Sequence, residues 1–84
     1  MRLPFPFFRK KRKPRFSSLE KMLLQLLVRD YSSADIALEL AVSENFVDVQ
    51  KQLLQQKMGV ATEVGMVLYA VRHKLVSLEE GEGS

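Results

Sequence analysis

The chain has 84 residues, a net charge of +3, no cysteine and one histidine. A chain of this length forms a single domain that buries only about 60 % of its unfolded surface, so we expect self-association to add stability. The lack of cysteine excludes disulfides and thiolate metal sites. No apolar run approaches the roughly 20 residues that span a bilayer. Together these features predict a small cytoplasmic protein.

The charge is divided unevenly along the chain. Residues 1–15 hold seven bases and no acid, whereas residues 16–84 hold six bases and ten acids, so a segment of +7 precedes one of −4. Prolines at positions 4, 6 and 14 prevent a regular helix in the first segment. We therefore predict an extended basic arm over residues 1–15. Its anion-binding cluster comprises Arg9, Lys10, Lys11, Arg12 and Lys13.

Four large apolar residues precede this cluster, and they leave the role of the arm open. They are Leu3, Phe5, Phe7 and Phe8. One interpretation is a solubilising leader whose aromatic rings pack loosely on the domain. A second is a basic arm that follows DNA phosphates or enters a minor groove. A third is a patch on anionic lipid, where each base contributes about 1 kcal/mol near the surface.

The first helix is predicted over residues 18–28. Ser17 and Glu20 have the spacing of a capping box, which marks a helix start. Its predicted inward-facing residues are Leu19, Leu23, Leu26 and Leu27. Residues 29–31 then form a turn.

Two short amphipathic segments follow, joined by a tight connection. The first covers residues 34–40, is capped by Ser32 or Ser33, and has its apolar face at Ile36, Ala37 and Leu40. The second covers residues 44–57, between a Ser43 cap and Gly59. Its apolar stripe comprises Val47, Leu54 and Met58, with Phe46 and Leu53 beside it. This spacing predicts a helix-turn-helix.

A fourth helix is predicted over residues 63–73, with Thr62 as its cap. Its apolar stripe comprises Val64, Val67, Leu68 and Val71. These residues either cover the three-helix core or form a dimer interface. The acidic, glycine-containing segment 79–84 is expected to be disordered.

From about Phe16 to Val76 the chain resembles the LuxR/GerE-type helix-turn-helix family. The resemblance rests on the stretches SSADIALEL at 32–40, VSENFV at 42–47 and KMGV at 57–60. It implies an all-α, compact four-helix domain over residues 16–78 that regulates transcription by binding double-stranded DNA. It also implies that the third helix enters the major groove and that the fourth helix forms a homodimer through Val64, Val67, Leu68 and Val71.

The chain departs from the family pattern in the third helix. Asn45 and Phe46 replace a basic residue followed by Thr, Asp48 replaces another base, and Gln50 replaces a common His. This weakens a surface that normally attracts phosphates, although Asn and Gln can bond adenine bidentately. The predicted DNA-contacting residues of the helix are Asn45, Gln50, Lys51, Gln52 and Gln55.

A second class of function is a degenerate helix-turn-helix that docks proteins. Phe46, Val47 and Val49 would then form an apolar surface, and the arm would tether the domain to a protein partner or a membrane. Catalysis has no comparable support. His73 lies between two bases at a helix end, and no glycine-rich phosphate loop is present. We therefore predict no enzymatic activity, no metal site and no cofactor.

Overall fold

The computed structural model describes residues 14–78. It contains four α-helices, α1 (Ser18–Val28), α2 (Ser33–Leu40), α3 (Glu44–Met58) and α4 (Glu63–Arg72), and no strand within the described range. The predicted all-α four-helix fold is therefore confirmed. The predicted arm bases Arg9, Lys10, Lys11, Arg12 and Lys13, and the predicted tail 79–84, lie outside the described residues.

Each helix begins at a predicted cap. Glu20 N–H donates to Ser17 Oγ at 3.1 Å, and Ser17 N–H donates to Glu20 Oε1 at 2.8 Å, which completes the predicted capping box. The cap of α2 is Ser32 rather than Ser33, and Asp35 completes a second capping box with it. Ser43 and Thr62 accept hydrogen bonds from the third residue of α3 and of α4. These bonds satisfy N–H groups that a helix start leaves without partners.

The end of α3 follows the prediction closely. Gly59 has φ of 73°, in the left-handed region that glycine adopts without a steric penalty. The N–H groups of Gly59 and Val60 both donate to Gln55 O, at 2.9 and 3.0 Å. This C-terminal motif extends α3 to Met58, one residue beyond the predicted end.

The core consists entirely of apolar side chains within the described range. Its buried members are Leu23, Leu24, Leu26, Leu27, Ile36, Ala37, Val47, Leu54, Met58, Met66 and Ala70. Two predictions for α1 need correction, because Leu19 is 37 % exposed whereas Leu24 is fully buried. Since α1 packs against both α2 and α4, its buried face is broader than the single stripe drawn from its sequence.

The fourth helix presents a different face to the core than its sequence suggests. Met66 and Ala70 are fully buried, whereas Val64 and Leu68 are 67 % and 56 % exposed. The other two members of the predicted stripe, Val67 and Val71, are half-buried. The stripe therefore lies along the edge of the core, and half of it faces solvent.

A side-chain amide holds the segment after α4 against α1. Gln25 Nε2 donates to Ser77 O at 2.8 Å, and Ser77 N–H donates to Gln25 Oε1 at 3.1 Å. The amide of Gln25 thus donates one hydrogen bond to the Ser77 backbone and accepts one from it. These two bonds join α1 to the segment that follows α4, between residues that are 52 positions apart.

Candidate nucleic-acid interface

The turn between α2 and α3 fixes the direction of α3. Ala41 adopts a left-handed conformation with φ of 59°, and the N–H of Val42 donates to Ala37 O at 3.0 Å. Ser43 Oγ then accepts from Phe46 N–H at 3.0 Å and starts the next helix. With Ile36 and Val47 fully buried, the two helices pack as the predicted helix-turn-helix.

One face of α3 is open to solvent along its length. Asn45, Val49, Gln52 and Gln56 follow one another at helical spacing, and all four are exposed. Leu53, one turn beyond Val49, is 50 % exposed. Of the predicted DNA-contacting residues, Asn45 and Gln52 lie on this exposed face, whereas Gln50 and Gln55 are half-buried beside it. We refer to Asn45, Val49, Gln52, Leu53 and Gln56 as the open face.

Only two residues of the open face, Asn45 and Gln52, are predicted from the sequence to contact DNA. Val49, Leu53 and Gln56 are exposed beside them. The helical period counted from Asn45 would have found all three, because they lie on its side of the helix.

Lys51, another predicted contact, is directed into the domain. Its ammonium donates to Ser33 Oγ at 2.7 Å and to Glu63 Oε1 at 3.1 Å. Ser33 in turn donates to Asp48 Oδ1 at 2.8 Å. The Lys51 side chain is only 13 % exposed. This network joins the first residues of α2 and α4 to α3, and its geometry does not favour a contact between Lys51 and DNA.

Lys57, the second lysine of α3, is also paired within the domain. Its Nζ lies 2.9 Å from Glu20 Oε1 and 4.8 Å from the centroid of the Phe16 ring. Burial raises the pKa of Glu20, but hydrogen bonds from Lys57 and from the Ser17 N–H outweigh it and hold the pKa below the ordinary 4.5. The Phe16 ring also packs against Tyr69, at a centroid separation of 6.3 Å.

Both cations of α3 therefore form ion pairs with other residues of the same domain. Glu44, in contrast, is exposed and has no ion pair among residues 14–78. Asp48 is exposed, and the Ser33 hydroxyl bonds its carboxylate. The open face of α3 is therefore built from amides and aliphatic side chains rather than from cations.

The alternative docking surface on α3 is only partly accessible. Val47, one of its three predicted members, is fully buried and belongs to the core. Phe46 is half-buried, and Val49 is 42 % exposed. The surface predicted from these three residues therefore does not form as a unit.

The described residues 14–78 form neither a metal site nor a membrane span. In this range no group of three or more His, Cys, Asp or Glu side chains is placed to hold a metal ion. His73 lies at the end of α4, where its ring packs against the Tyr69 ring at a tilt of 33°, with centroids 4.2 Å apart. Among residues 14–78, none of the helices has the length and hydropathy of a membrane span.

The fold and the α2–α3 geometry define a helix-turn-helix domain of the all-α class. The family model "GerE: Bacterial regulatory proteins, luxR family" matches residues 14–70. A solved structure described as "Structure of Transcription factor, GerE" is similar at 36 % sequence identity and a TM-score of 0.73, over 76 % of this chain and 96 % of that one. Comparison with curated protein sequences gives no match. The chain belongs to the luxR family of bacterial regulatory proteins.

Proposed function

We propose that the protein is a transcriptional regulator that binds double-stranded DNA with α3 in the major groove. The observation that carries this proposal is the open face, which is exposed along α3 while the opposite face anchors the helix in the core. A helix held in this way can enter a groove about 12 Å wide without unfolding the domain. Membership of a family of regulatory proteins supports the same function.

Within this proposal the predicted contacts have different roles. We assign base edges to Asn45 and Gln52, which are exposed, and the sides of the groove to Gln50 and Gln55, which are half-buried beside the open face. Lys51 acts as a positioning residue, because its ammonium joins α3 to Ser33 and Glu63. It would orient the helix rather than touch DNA.

The attraction to phosphates must then come from outside α3. Neutralised phosphates release counterions and supply most of the non-specific affinity. Since Lys51 and Lys57 are both paired, the bases at positions 9–13 are the densest remaining source of positive charge in the sequence. We propose that this basic segment lies on the DNA backbone and compensates for the uncharged open face.

We also propose that two copies associate through α4. Val64 and Leu68 are exposed one turn apart, next to a groove lined by Leu27 and Val28 of α1. Pairing across this face would bury apolar surface that a small domain otherwise leaves in water. A two-fold dimer would place two α3 helices on half-sites about one helical turn apart.

The test is fluorescence-anisotropy titration of the full chain with duplexes selected from a random-sequence pool. Asn45→Ala and Gln52→Ala should each weaken binding to the selected duplex about tenfold, because one good amide–base pair contributes about 1–3 kcal/mol. Ser18→Ala, which removes an exposed neutral polar side chain from α1, is the matched control. Equal affinities for all these variants would contradict the placement of α3 in the groove.

A further inference from the structure

The open face of α3 alternates two kinds of side chain. The carboxamides of Asn45, Gln52 and Gln56 share it with the aliphatic side chains of Val49 and Leu53. Val49 is 42 % exposed and Leu53 50 % exposed, although nearby positions on the same helix are fully buried. Aliphatic side chains in the middle of a polar reading surface need an apolar counterpart on whatever covers it.

The cations that usually read guanine are missing from this face. Bidentate bonds to guanine O6 and N7 are made by Arg or Lys. α3 contains no Arg, and its two lysines are held by Glu63 and Glu20. The face therefore carries the bidentate donor and acceptor that suit adenine, but no cation for the bidentate contact with guanine.

We infer that α3 reads a half-site of A·T base pairs, with its amides on adenine and with Val49 and Leu53 on the C5-methyl groups of thymine. This inference rests on the DNA-binding function proposed above and names the class of sequence that it selects. An A·T pair offers both counterparts in the major groove, since adenine presents N6–H and N7 while its partner thymine presents a methyl group. Amide and aliphatic side chains adjacent on one helix face thus match the two halves of one base pair.

The length of the open face sets the size of the half-site. From Asn45 to Gln56 the helix rises about 16–17 Å, at 1.5 Å per residue. Base pairs are stacked about 3.4 Å apart, so the open face spans about five of them. We expect A·T pairs at those positions and no required G·C pair among them.

The test replaces individual atoms of the DNA. The full chain is used to select duplexes from a random pool, and each thymine of the selected half-site is then replaced by uracil, which removes only the methyl group. Replacement at a contacted position should weaken binding about fourfold, the equivalent of about 0.8 kcal/mol for one buried carbon. Replacing adenine by 7-deazaadenine should weaken binding as well, whereas replacing guanine by 7-deazaguanine should not.

Variants of the protein assign the methyl contacts. In Val49→Ala and Leu53→Ala, the uracil effect should disappear at one position each while the helix content stays unchanged, since both side chains are partly exposed. Met22→Ala is the matched control, because Met22 is 51 % exposed on α1, outside the open face. It should retain the full uracil effect at every position.

The outcomes separate this inference from the function on which it rests. If Asn45→Ala weakens binding but uracil has no effect, or if the selected half-sites lose affinity with 7-deazaguanine, the A·T inference is wrong and the DNA-binding function remains. If Val49→Ala and Leu53→Ala leave duplex binding unchanged, the two side chains do not contact thymine methyl groups and the inference is again wrong. If no sequence is selected and Asn45→Ala has no effect, both proposals fail.

Discussion

The ammonium of Lys57 lies 2.9 Å from Glu20 Oε1 and 3.2 Å from Oε2, across 37 positions of sequence. Glu20 also completes the capping box at the start of α1, so one carboxylate caps that helix and holds the last turn of α3. Phe16 lies under the same ammonium and covers it on one side. This contact joins the last turn of α3 to the start of α1.

The Glu20 carboxylate should make stability depend on pH. The pKa of Glu20 is lower in the folded protein than the ordinary 4.5. Its contribution to the free energy of unfolding is therefore complete above pH 4.5, and it is lost as the pH falls through the lowered pKa of the folded state. Glu20→Gln should reduce the unfolding free energy at pH 7 by about 0.2–1 kcal/mol, as for other partly exposed ion pairs. The difference from the unsubstituted protein should vanish at acid pH in urea denaturation followed by circular dichroism.

Glu39→Gln provides the control for that titration. Glu39 is exposed on α2 and has no ion pair among the described residues. Its replacement should leave the pH dependence almost unchanged. A Glu20→Gln variant with the pH dependence of the original protein would show that the Lys57 contact adds nothing measurable.

Lys51 should influence stability more than DNA affinity. In Lys51→Met, Ser33 and Glu63 lose their shared partner, and we expect a loss of about 1–2 kcal/mol in unfolding free energy, because the hydrogen bonds are charge-assisted and the side chain is 13 % exposed. Thermal and urea denaturation measure the loss. Below the transition, affinity for a selected duplex should change by less than about threefold, which corresponds to the range of ordinary surface substitutions.

Lys21→Met is the appropriate comparison, since Lys21 is exposed on α1 and carries the same charge. It removes one cation without breaking the Ser33–Lys51–Glu63 contacts. If Lys51→Met weakens DNA binding tenfold more than Lys21→Met at equal folded fraction and also lowers the salt slope by about one unit, Lys51 contacts a DNA phosphate directly. The positioning role proposed for it would then be wrong.

Local signals in the sequence predicted the helices well, and contacts between distant residues account for what they missed. Caps such as Ser17 and Ser43 act within three residues, so their spacing alone locates the helix starts. The ion pairs of Lys51 and Lys57 join residues 12 and 37 positions apart, and no periodicity reveals them. For that reason the sequence does not show that Lys51 is paired within the domain.

For a similar reason, the sequence does not predict which face of α4 packs against the core. Its apolar residues surround much of the helix, so a stripe drawn through Val64 and Leu68 was as plausible as one through Met66 and Ala70. Packing against both α1 and α3 selects the second pair for the core. The choice depends on where two other helices lie, which the sequence of α4 does not contain.

The exposed side of α4 gives a direct test of self-association. Leu68→Glu places a carboxylate on the face proposed for dimerisation, where pairing would bury it without a partner. We expect the full chain to sediment as a dimer and Leu68→Glu as a monomer, with the helix content of both unchanged because Leu68 is 56 % exposed. Leu38→Glu introduces the same charge on α2, where Leu38 is 82 % exposed, and should remain dimeric. Monomeric behaviour of the unsubstituted chain at all concentrations would exclude this interface.

The basic segment at positions 9–13 should determine how strongly DNA binding depends on salt. Replacing Lys10, Lys11, Arg12 and Lys13 by Ala should lower the slope of log affinity against log salt by about three or four units, at about 0.9 per lost phosphate contact. A matched variant removes four exposed cations of the described domain instead, by Lys21→Ala, Arg29→Ala, Arg72→Ala and Lys74→Asn. Asn is chosen at position 74 because Lys74 has φ of 57°.

The two variants have the same net charge, so a slope that depends on charge alone would change equally in both. A larger change in the first variant locates the phosphate contacts in the basic segment. Anionic vesicles added as competitor distinguish the lipid interpretation, because a segment that prefers lipid should leave the duplex as vesicles are added. If both variants keep the original slope, neither group of cations contacts phosphates, and the open face of α3 would have to bind DNA without their help.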